Sequence, residues 1–201
     1  MQRPGAVAHR YAYWKMLADE LDIPLPAQSH IDFPRFAAPE YIVVHTGAAQ
    51  PVRVWPLDRY AALVRFLRTR NFPVKIICDS NQKEWWESAG EKNVVVPASI
   101  SELIEVTRRA SVFIGNDSGP GHLAASLGIP TFTLFGPQFV KSFIPLHPAS
   151  EAVEGKPCPY KPCSDYCRFA KPVCLHDISV AEVESGLDKF LAKNIRELPK
   201  V

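Results

Sequence analysis

Short apolar runs alternate with amphipathic segments along most of the chain. The runs are bounded by glycine, proline or polar residues, which is typical of buried strands. Strands are predicted at residues 41–45, 74–78, 94–96, 112–115 and 131–135, with a candidate edge strand at 151–153. Because strands that alternate with helices need right-handed crossovers, the pattern predicts an α/β fold with a doubly wound parallel sheet.

The amphipathic segments predict the helices between these strands. Asp58 is expected to cap a helix that ends near Arg70, and Ser99 with Glu102 forms a capping-box pattern opening a helix to Ala110. Further helices are predicted at residues 7–22, 83–89, 123–127 and 179–193. Residues 23–40 are rich in proline and predict an extended linker.

Composition and charge narrow the class of protein. The chain has 201 residues, 47% of them hydrophobic, and a net charge of only +2. Its basic residues are interleaved with acids, so we expect no nucleic-acid partner. The sequence shows no membrane-spanning run and no signal-peptide pattern. We therefore expect a cytoplasmic protein, with a peripheral contact at the inner face of the inner membrane left open.

Four of the five cysteines lie in one proline-rich segment. Cys78 ends an apolar run and is expected in the core. The other four, Cys158, Cys163, Cys167 and Cys174, have spacings that match no familiar zinc-ribbon or iron–sulfur pattern. We expect reduced thiols that line an irregular loop, with no cofactor, and a bound metal is the alternative.

Two polar turns follow predicted strands and carry the candidate chemistry. The turn NDSGPGH, residues 116–122, leads into a short helix that ends at Gly128. The turn HTGAAQPVRVWP, residues 45–56, combines small residues with the cation of Arg53. Because both turns leave the same edge of the sheet, a helix N-terminus and an arginine would face each other there. That arrangement predicts a clamp for a diphosphate.

Structural roles are the alternative for each of these residues. Gly47 can simply permit a turn, Arg53 can be a solvated surface residue, Asp117 can form an Asx turn, and His122 can cap a helix. The G-x-G-x-x-G, P-loop and G-x-S-x-G patterns are all absent, which disfavours dinucleotide oxidoreductases, P-loop NTPases and serine hydrolases.

The stretch IGNDSGPGHLAASLGIPTFTLFGP closely resembles the signature of the family 9 glycosyltransferases, the ADP-heptose:lipopolysaccharide heptosyltransferases and their relatives. HTGAAQPVRVWPLDRYAAL resembles the family's other signature, a small-residue loop and a basic residue before Trp-Pro. The resemblance covers about residues 40–193, including a cysteine-bearing loop. It implies a GT-B fold, in which two Rossmann-like domains face each other and the C-terminal one holds the nucleotide sugar.

The resemblance implies contacts to the phosphates and the base. Thr46, Gly47 and Ala48 match the loop over the phosphates, and Ser99 lies near the adenine-contacting segment. Arg53 stands where the family usually has a lysine that contacts the donor phosphate. Because arginine keeps the charge but changes the geometry, the donor sugar can differ from heptose.

It also implies contacts to the sugar end of the donor. Asp117, Ser118, Gly119 and His122 match residues that embrace the diphosphate and the transferred sugar. The segment CDSNQKEWW departs from the family's glycine-rich turn, and Glu84 is its nearest candidate for the acidic residue that binds the ribose.

The resemblance further implies a division of the chain. Residues 1–38 resemble a helix and linker from the N-terminal acceptor domain, and residues 39–201 the nucleotide-sugar-binding domain with its cysteine-bearing loop at 155–176. The family draws its catalytic base from the acceptor domain, so no catalytic residue is expected in this chain, which alone should be inactive. Exposed apolar surface at the missing interface predicts self-association.

The function implied is the donor-binding half of an inverting, metal-independent glycosyltransferase of lipopolysaccharide core biosynthesis. ADP-heptose is the expected donor, and a lipopolysaccharide core or other glycan the expected acceptor. Three alternatives stay open: a non-catalytic nucleotide-sugar binding module, a GT-B sugar-nucleotide epimerase, and a metal-binding module built on the clustered cysteines. The epimerase requires paired carboxylates in the cleft, and the sequence offers no convincing pair.

Overall fold

A five-stranded parallel sheet forms the centre of the protein. A computed structural model describes residues 8–163 and 166–195. The strand order is β2-β1-β3-β4-β5, and every neighbouring pair is parallel. The strands are β1 (Tyr41–His45), β2 (Val74–Ile77), β3 (Ala110–Asn116), β4 (Thr131–Phe135) and β5 (Ser150–Glu154). The predicted α/β fold with a doubly wound parallel sheet is confirmed.

Helices cover both faces of this sheet. They are α1 (Arg10–Glu20), α2 (Leu57–Thr69), α3 (Lys83–Ser88), α4 (Ile100–Thr107), α5 (Gly119–Ser126), α6 (Val140–Phe143), α7 (Val173–His176) and α8 (Val180–Asn194). Helices α2 and α8 pack on one face, and α4 and α5 on the other. Each face buries its own apolar cluster, around Trp55 and Phe132 on the first and around Phe113 and Ile129 on the second.

Most predicted helices are present, with differences at their ends. The first residue of the predicted helix 7–22 lies outside the described residues. Helix α2 begins one residue before Asp58 and has Pro56 at its N-cap, so Asp58 lies in the first turn and does not cap it. Ser99 caps α4 by accepting from the Glu102 N–H, whereas the Glu102 carboxylate accepts from Ala98.

Three predictions for elements near the second face of the sheet were wrong. Residues 94–96 do not form a strand, because only Val95 bridges to Ile77 at the sheet edge. Residue Ala110 opens β3 and does not end α4, since its apolar side chain is fully buried in the sheet. Helix α5 begins at Gly119 and not at residue 123, because proline is compatible with the first turn of a helix.

The N-terminal helix is joined to the sheet by an extended linker. Residues 21–40 contain one short 3-10 turn, Gln28–His30, and otherwise run without regular structure, as the prolines predict. The linker passes close to Gly128, where a Cβ atom would lie 2.6 Å from the carbonyl oxygens of Phe33 and Pro34. Among the described helices, none is both long and apolar enough to cross a bilayer.

Candidate functional site

The two polar turns meet at the carboxyl ends of β1 and β3, as predicted. Arg53 ends a 3-10 turn, Pro51–Arg53, that follows β1. Asp117 follows β3 directly, and Ser118 is the N-cap residue of α5. The start of α5, with the positive end of its helix dipole, therefore lies next to the Arg53 side chain.

Arg53 and Asp117 form a loose ion pair at the centre of this site. The Arg53 Nη1 and Asp117 Oδ2 atoms are 3.7 Å apart, and the Asp117 side chain is only 5% exposed. Burial raises the pKa of Asp117 to about 6, although the charges of Arg53 and Lys161 oppose the shift. The pair is too long for a good charge-assisted hydrogen bond, which is shorter than about 3 Å.

Several polar atoms around this pair are buried without a hydrogen-bond partner. They are Arg53 Nε, Asp117 Oδ2 and Ser118 Oγ. Because buried polar atoms in folded proteins are nearly always paired, an unpaired group of donors and an acceptor indicates a place for a polar ligand. A ligand with phosphate oxygens and hydroxyl groups would satisfy both kinds of atom.

Asn116 fixes the two turns relative to each other. Its Nδ2 donates to the carbonyl oxygens of Thr46, at 2.9 Å, and Gly47, at 3.3 Å. Its Oδ1 accepts from the Trp55 backbone N–H and from the Tyr60 hydroxyl. Because Asn116 is completely buried, these four bonds hold the loop after β1 rigidly against the end of β3.

A cavity of about 680 Å³ opens beside the α5 N-terminus. Its walls come from the ends of β1 and β2, from residues 96–99 before α4, from the first turn of α4, and from Pro120 of α5. Ser99 lies in this wall, and its contact to adenine stays a prediction. Asp79 and Ser80, which follow β2, supply polar groups. The cavity has the volume and the mixed lining of a small-molecule site.

The loop after β1 approaches this cavity through Gly47. A Cβ atom at residue 47 would lie 2.3 Å from Asp79 Oδ1, so glycine allows the Asp79 carboxylate to lie against the backbone. The Thr46 side chain is buried and points elsewhere. Its hydroxyl donates to Gln82 Oε1 at 2.8 Å and accepts from the Trp86 indole N–H at 3.2 Å.

The remaining predicted residues fall in different places. Ala48 is half-buried in the loop after β1, and Gly119 is exposed in the first turn of α5. His122 lies one turn further along α5, where partial desolvation of its imidazole and the charge of His9 lower its pKa. Glu84 is exposed on α3 and does not line the described cavity wall, where Asp79 lies instead.

A second cavity, of about 430 Å³, is lined by Arg53. Arg10 from α1 faces it, together with Gln138 and Phe139 from the loop after β4. The Arg10 guanidinium lies 5.0 Å from the centroid of the Phe143 ring. Arg53 thus lines the cavity beside the N-terminal helix, whereas the larger cavity is reached from the other strand ends and from Pro120 of α5.

Three residues that contribute to the site were missed in the sequence. Asn116 precedes the predicted Asp117 and could not be distinguished from a turn former. Asp79 is the first carboxylate after β2, so the rule that ligands lie at the carboxyl ends of parallel strands could have found it. Lys161 comes from the distant segment after β5, and its 7% exposed side chain is ion-paired with Glu154.

The four clustered cysteines lie outside this site. Cys158, Cys163, Cys167 and Cys174 all carry free thiols. Burial raises the pKa of the Cys174 thiol, Lys161 lowers it, and the other three thiols raise it further. In the part of the chain that the structure describes, no three His, Cys, Asp or Glu side chains are already placed to hold a metal ion.

Fold and site together define a class: a Rossmann-like α/β domain with unpaired polar groups and a ligand-sized cavity at the carboxyl edge of its sheet. Comparison with known sequences gives the family. The model for glycosyltransferase family 9 (heptosyltransferase) matches residues 13–173. The chain therefore belongs to glycosyltransferase family 9, and the resemblance seen in its two signatures is confirmed.

Individual relatives agree with this family. Lipopolysaccharide heptosyltransferase 1 of Campylobacter coli is 31% identical over 107 residues, which are 47% of this chain and 31% of that protein. A family 9 glycosyltransferase structure from Veillonella parvula superposes with a TM-score of 0.72 at 17% identity, over 96% of this chain and 62% of that one. The structure of E. coli heptosyltransferase WaaC with ADP superposes with a TM-score of 0.62 at 17% identity, over 94% of this chain and 60% of that one.

The chain spans less than two thirds of the length of each of these relatives. Its neighbours are heptosyltransferases of the GT-B type, so its own sheet corresponds to one Rossmann-like unit of that fold. The structural neighbours thereby confirm the predicted Rossmann-like fold class.

Proposed function

We propose that this chain binds the nucleotide-diphosphate-sugar donor, ADP-heptose, of an inverting glycosyltransferase that acts in lipopolysaccharide core biosynthesis. The observation that carries the proposal is the group of buried, unpaired atoms on Arg53, Asp117 and Ser118 at the start of α5. Diphosphate oxygens would accept hydrogen bonds from Arg53 and Ser118, and the helix dipole would stabilise their charge.

The nucleoside would occupy the cavity beside this group. Ser99 and the preceding backbone would contact the base, and Asp79 would accept hydrogen bonds from the ribose hydroxyls. Asp79 takes this role in place of Glu84, which lies away from the cavity wall. The relative solved with ADP supports adenine as the base of the donor.

The transferred sugar would extend past Arg53 toward the second cavity. Asp117 and His122 would hydrogen-bond its hydroxyls. Because the pKa of His122 is lowered, its imidazole would act there as a neutral hydrogen-bonding group.

In the complete enzyme, an acceptor hydroxyl would attack the anomeric carbon from the side opposite the diphosphate. The bond between that carbon and the diphosphate oxygen would break, and the negative charge would develop on ADP. Arg53 and the α5 N-terminus would stabilise that charge, which lowers the barrier to departure. The base that takes the proton of the hydroxyl would come from the acceptor domain, so this chain alone would bind the donor without transferring it.

The test is calorimetric titration of the chain with ADP and with adenosine. Arg53→Ala should weaken ADP binding about 10- to 100-fold, the loss expected when charge-assisted hydrogen bonds are removed. It should leave adenosine binding unchanged, because the cation would contact only phosphate. UDP and GDP should bind more weakly than ADP.

Arg65→Ala is the matched control, since Arg65 is an exposed arginine on α2 with no partner among the described residues. Equal losses in Arg53→Ala and Arg65→Ala would contradict the proposal. So would an affinity for ADP no greater than that for adenosine.

A further inference from the structure

The segment that runs from the end of β5 into α7 brings four thiols to one small cavity. Cys158, Cys163, Cys167 and Cys174 all line it, and its volume is about 10 Å³. A space of that size accommodates a single small ion or water and no organic ligand. No carboxylate or imidazole is found among the described residues of its wall, so the available ligand atoms are sulfur.

The segment has little apolar interior of its own to hold it in place. Its described part between Gly155 and Pro172 contains no helix or strand. Tyr160, Tyr166 and Phe169 are exposed, whereas the thiols point inward. Irregular loops of this length are uncommon in compact domains unless they serve a function, and a metal ion or a set of disulfides commonly replaces the missing core.

Backbone contacts fix the segment at several points around the thiols. Gly155 lies so close to the backbone of Cys174 that a Cβ atom there would overlap its carbonyl oxygen. The Cys163 N–H donates to the Pro137 carbonyl oxygen at 3.0 Å, and the Cys163 carbonyl oxygen accepts from Gln138 Nε2 at 2.8 Å. Two thiols are therefore attached to the frame of the domain before any ligand binds.

Backbone hydrogen bonds also hold the sulfur of Cys167. Cys167 Sγ accepts a hydrogen bond from the backbone N–H of Phe169 at 3.4 Å. The same sulfur donates a hydrogen bond to the Lys171 carbonyl oxygen at 3.7 Å, so metal binding would displace its proton. The Lys161 side chain also lines the cavity, and its positive charge would offset part of the negative charge of four thiolates.

We propose that Cys158, Cys163, Cys167 and Cys174 bind one thiophilic metal ion, zinc or iron, which ties this segment to the loop after β4. Four thiolates around one ion form the tetrahedral arrangement preferred by structural zinc and by single iron centres. The thiols stand around the cavity without yet converging at ligand distance, so binding requires rotation of their side chains. The chain is rigid enough at Cys163 and Cys174 for such rotation to close the site.

The proposal is tested on protein purified without added metal and without chelator. Elemental analysis should find about one zinc or iron per chain, as a single tetrathiolate site requires. The reduced, metal-free chain should bind Co²⁺ and develop the near-ultraviolet charge-transfer band of cobalt thiolate. Because a structural metal stabilises the fold it is bound to, chelation should lower the melting temperature.

Variants assign the metal to these cysteines. Cys167→Ser should lose metal and the cobalt band, since this half-exposed residue can be changed without disturbing the core. Cys78→Ala is the matched control, because Cys78 lies at the end of β2, away from the segment, and should keep both.

Three results would overturn the proposal. The first is a metal-free chain that shows no cobalt band although all its thiols react. The second is a chain whose four thiols are already paired as disulfides after purification without reductant. The third is a Cys78→Ala variant that loses metal as fully as Cys167→Ser does. The cobalt titration of the unmodified chain keeps the test decisive even if a cysteine variant fails to fold.

Discussion

Asp117 holds a negative charge where the protein gives it almost no hydrogen-bonding support. Its side chain is nearly buried, its Oδ2 atom has no partner, and burial raises its pKa from 3.8 to about 6. A group whose pKa is higher in the folded than in the unfolded chain binds an extra proton between those two values. The folded state therefore loses stability as the pH rises through this window, and does not recover it above pH 6.

Asp117→Asn should remove this cost. The variant should be more stable than the parent at about pH 8, by up to about 3 kcal/mol, and by only about 0.5 kcal/mol at about pH 4, where the folded Asp117 is neutral. Urea unfolding at the two pH values measures the difference. If the difference in free energy of unfolding between variant and parent is the same at both pH values, the Asp117 carboxylate is not desolvated as described.

The variant has to be compared with the parent because His45 changes stability with pH in the direction opposite to Asp117. Burial lowers the pKa of His45 to about 4, so the folded chain binds fewer protons there than the unfolded chain. That residue adds stability as the pH rises to about 6.5. The pH profile of the parent alone thus mixes two opposing contributions, and only the variant isolates Asp117.

Gly47 and Asp79 form a second residue-scale test. Gly47→Ala would put a methyl group 2.3 Å from Asp79 Oδ1, so the carboxylate would have to swing out of the cavity wall. We expect adenosine binding to fall several-fold while the free energy of unfolding changes by less than about 1 kcal/mol, since only a side chain moves.

Asp79→Ala should cause the same loss, and the double variant should lose no more than either single one. Such non-additivity is the mark of two residues acting through one contact. Calorimetry on the three variants gives the coupling. Losses that simply add would show that Gly47 acts without Asp79.

At the scale of elements, Asn116 joins the end of β3 to the loop after β1. Asn116→Ala would remove four hydrogen bonds and leave the Trp55 N–H and Tyr60 hydroxyl buried without partners. We expect it to destabilise the domain by about 2–4 kcal/mol in urea unfolding. Tyr60→Phe, which removes only one of these bonds, should cost about 1 kcal/mol. Equal costs would contradict the central role of Asn116.

Elements whose sequence signals are local could be predicted from the sequence. The apolar runs at β1 and β4 and the Ser99 cap of α4 each carry the information for their own conformation. Residues 94–96 could not be settled this way, because whether an apolar run pairs as a strand depends on an available sheet edge. Only Val95 reaches that edge.

The site could be predicted from the sequence where its residues follow strands that are neighbours in the parallel sheet. Arg53 and Asp117 follow parallel strands that are neighbours in the sheet, so their meeting could be expected. Lys161 and Arg10 could not be found, since each comes from an irregular or distant segment whose path no periodicity specifies. The network around Thr46 was also missed, because side-chain hydrogen bonds leave no pattern in a sequence.

At the scale of the whole molecule, the N-terminal helix leaves an apolar stripe uncovered. Trp14, Leu17 and Leu21 follow one another at helical spacing and are 63%, 46% and 60% exposed. Exposed stripes of this kind mark surfaces that other protein covers. We expect the chain to self-associate through α1 at high concentration.

Sedimentation velocity over a concentration series measures this association. Leu17→Glu should weaken it strongly, because a charge would have to be buried in the contact. Ile100→Glu is the control, since it places the same charge at an exposed apolar residue outside α1, one that is even more exposed than Leu17. A chain that stays monomeric throughout the series would contradict this account of α1.

The central claim is that the start of α5 and Arg53 together receive the diphosphate of a nucleotide sugar. A crystal structure of the chain with ADP tests it most directly. The account predicts the phosphates at the α5 N-terminus, within hydrogen-bond distance of Arg53 and Ser118, and the adenine in the cavity beside Ser99. ADP bound elsewhere, or bound with its phosphates directed away from Arg53, would contradict it.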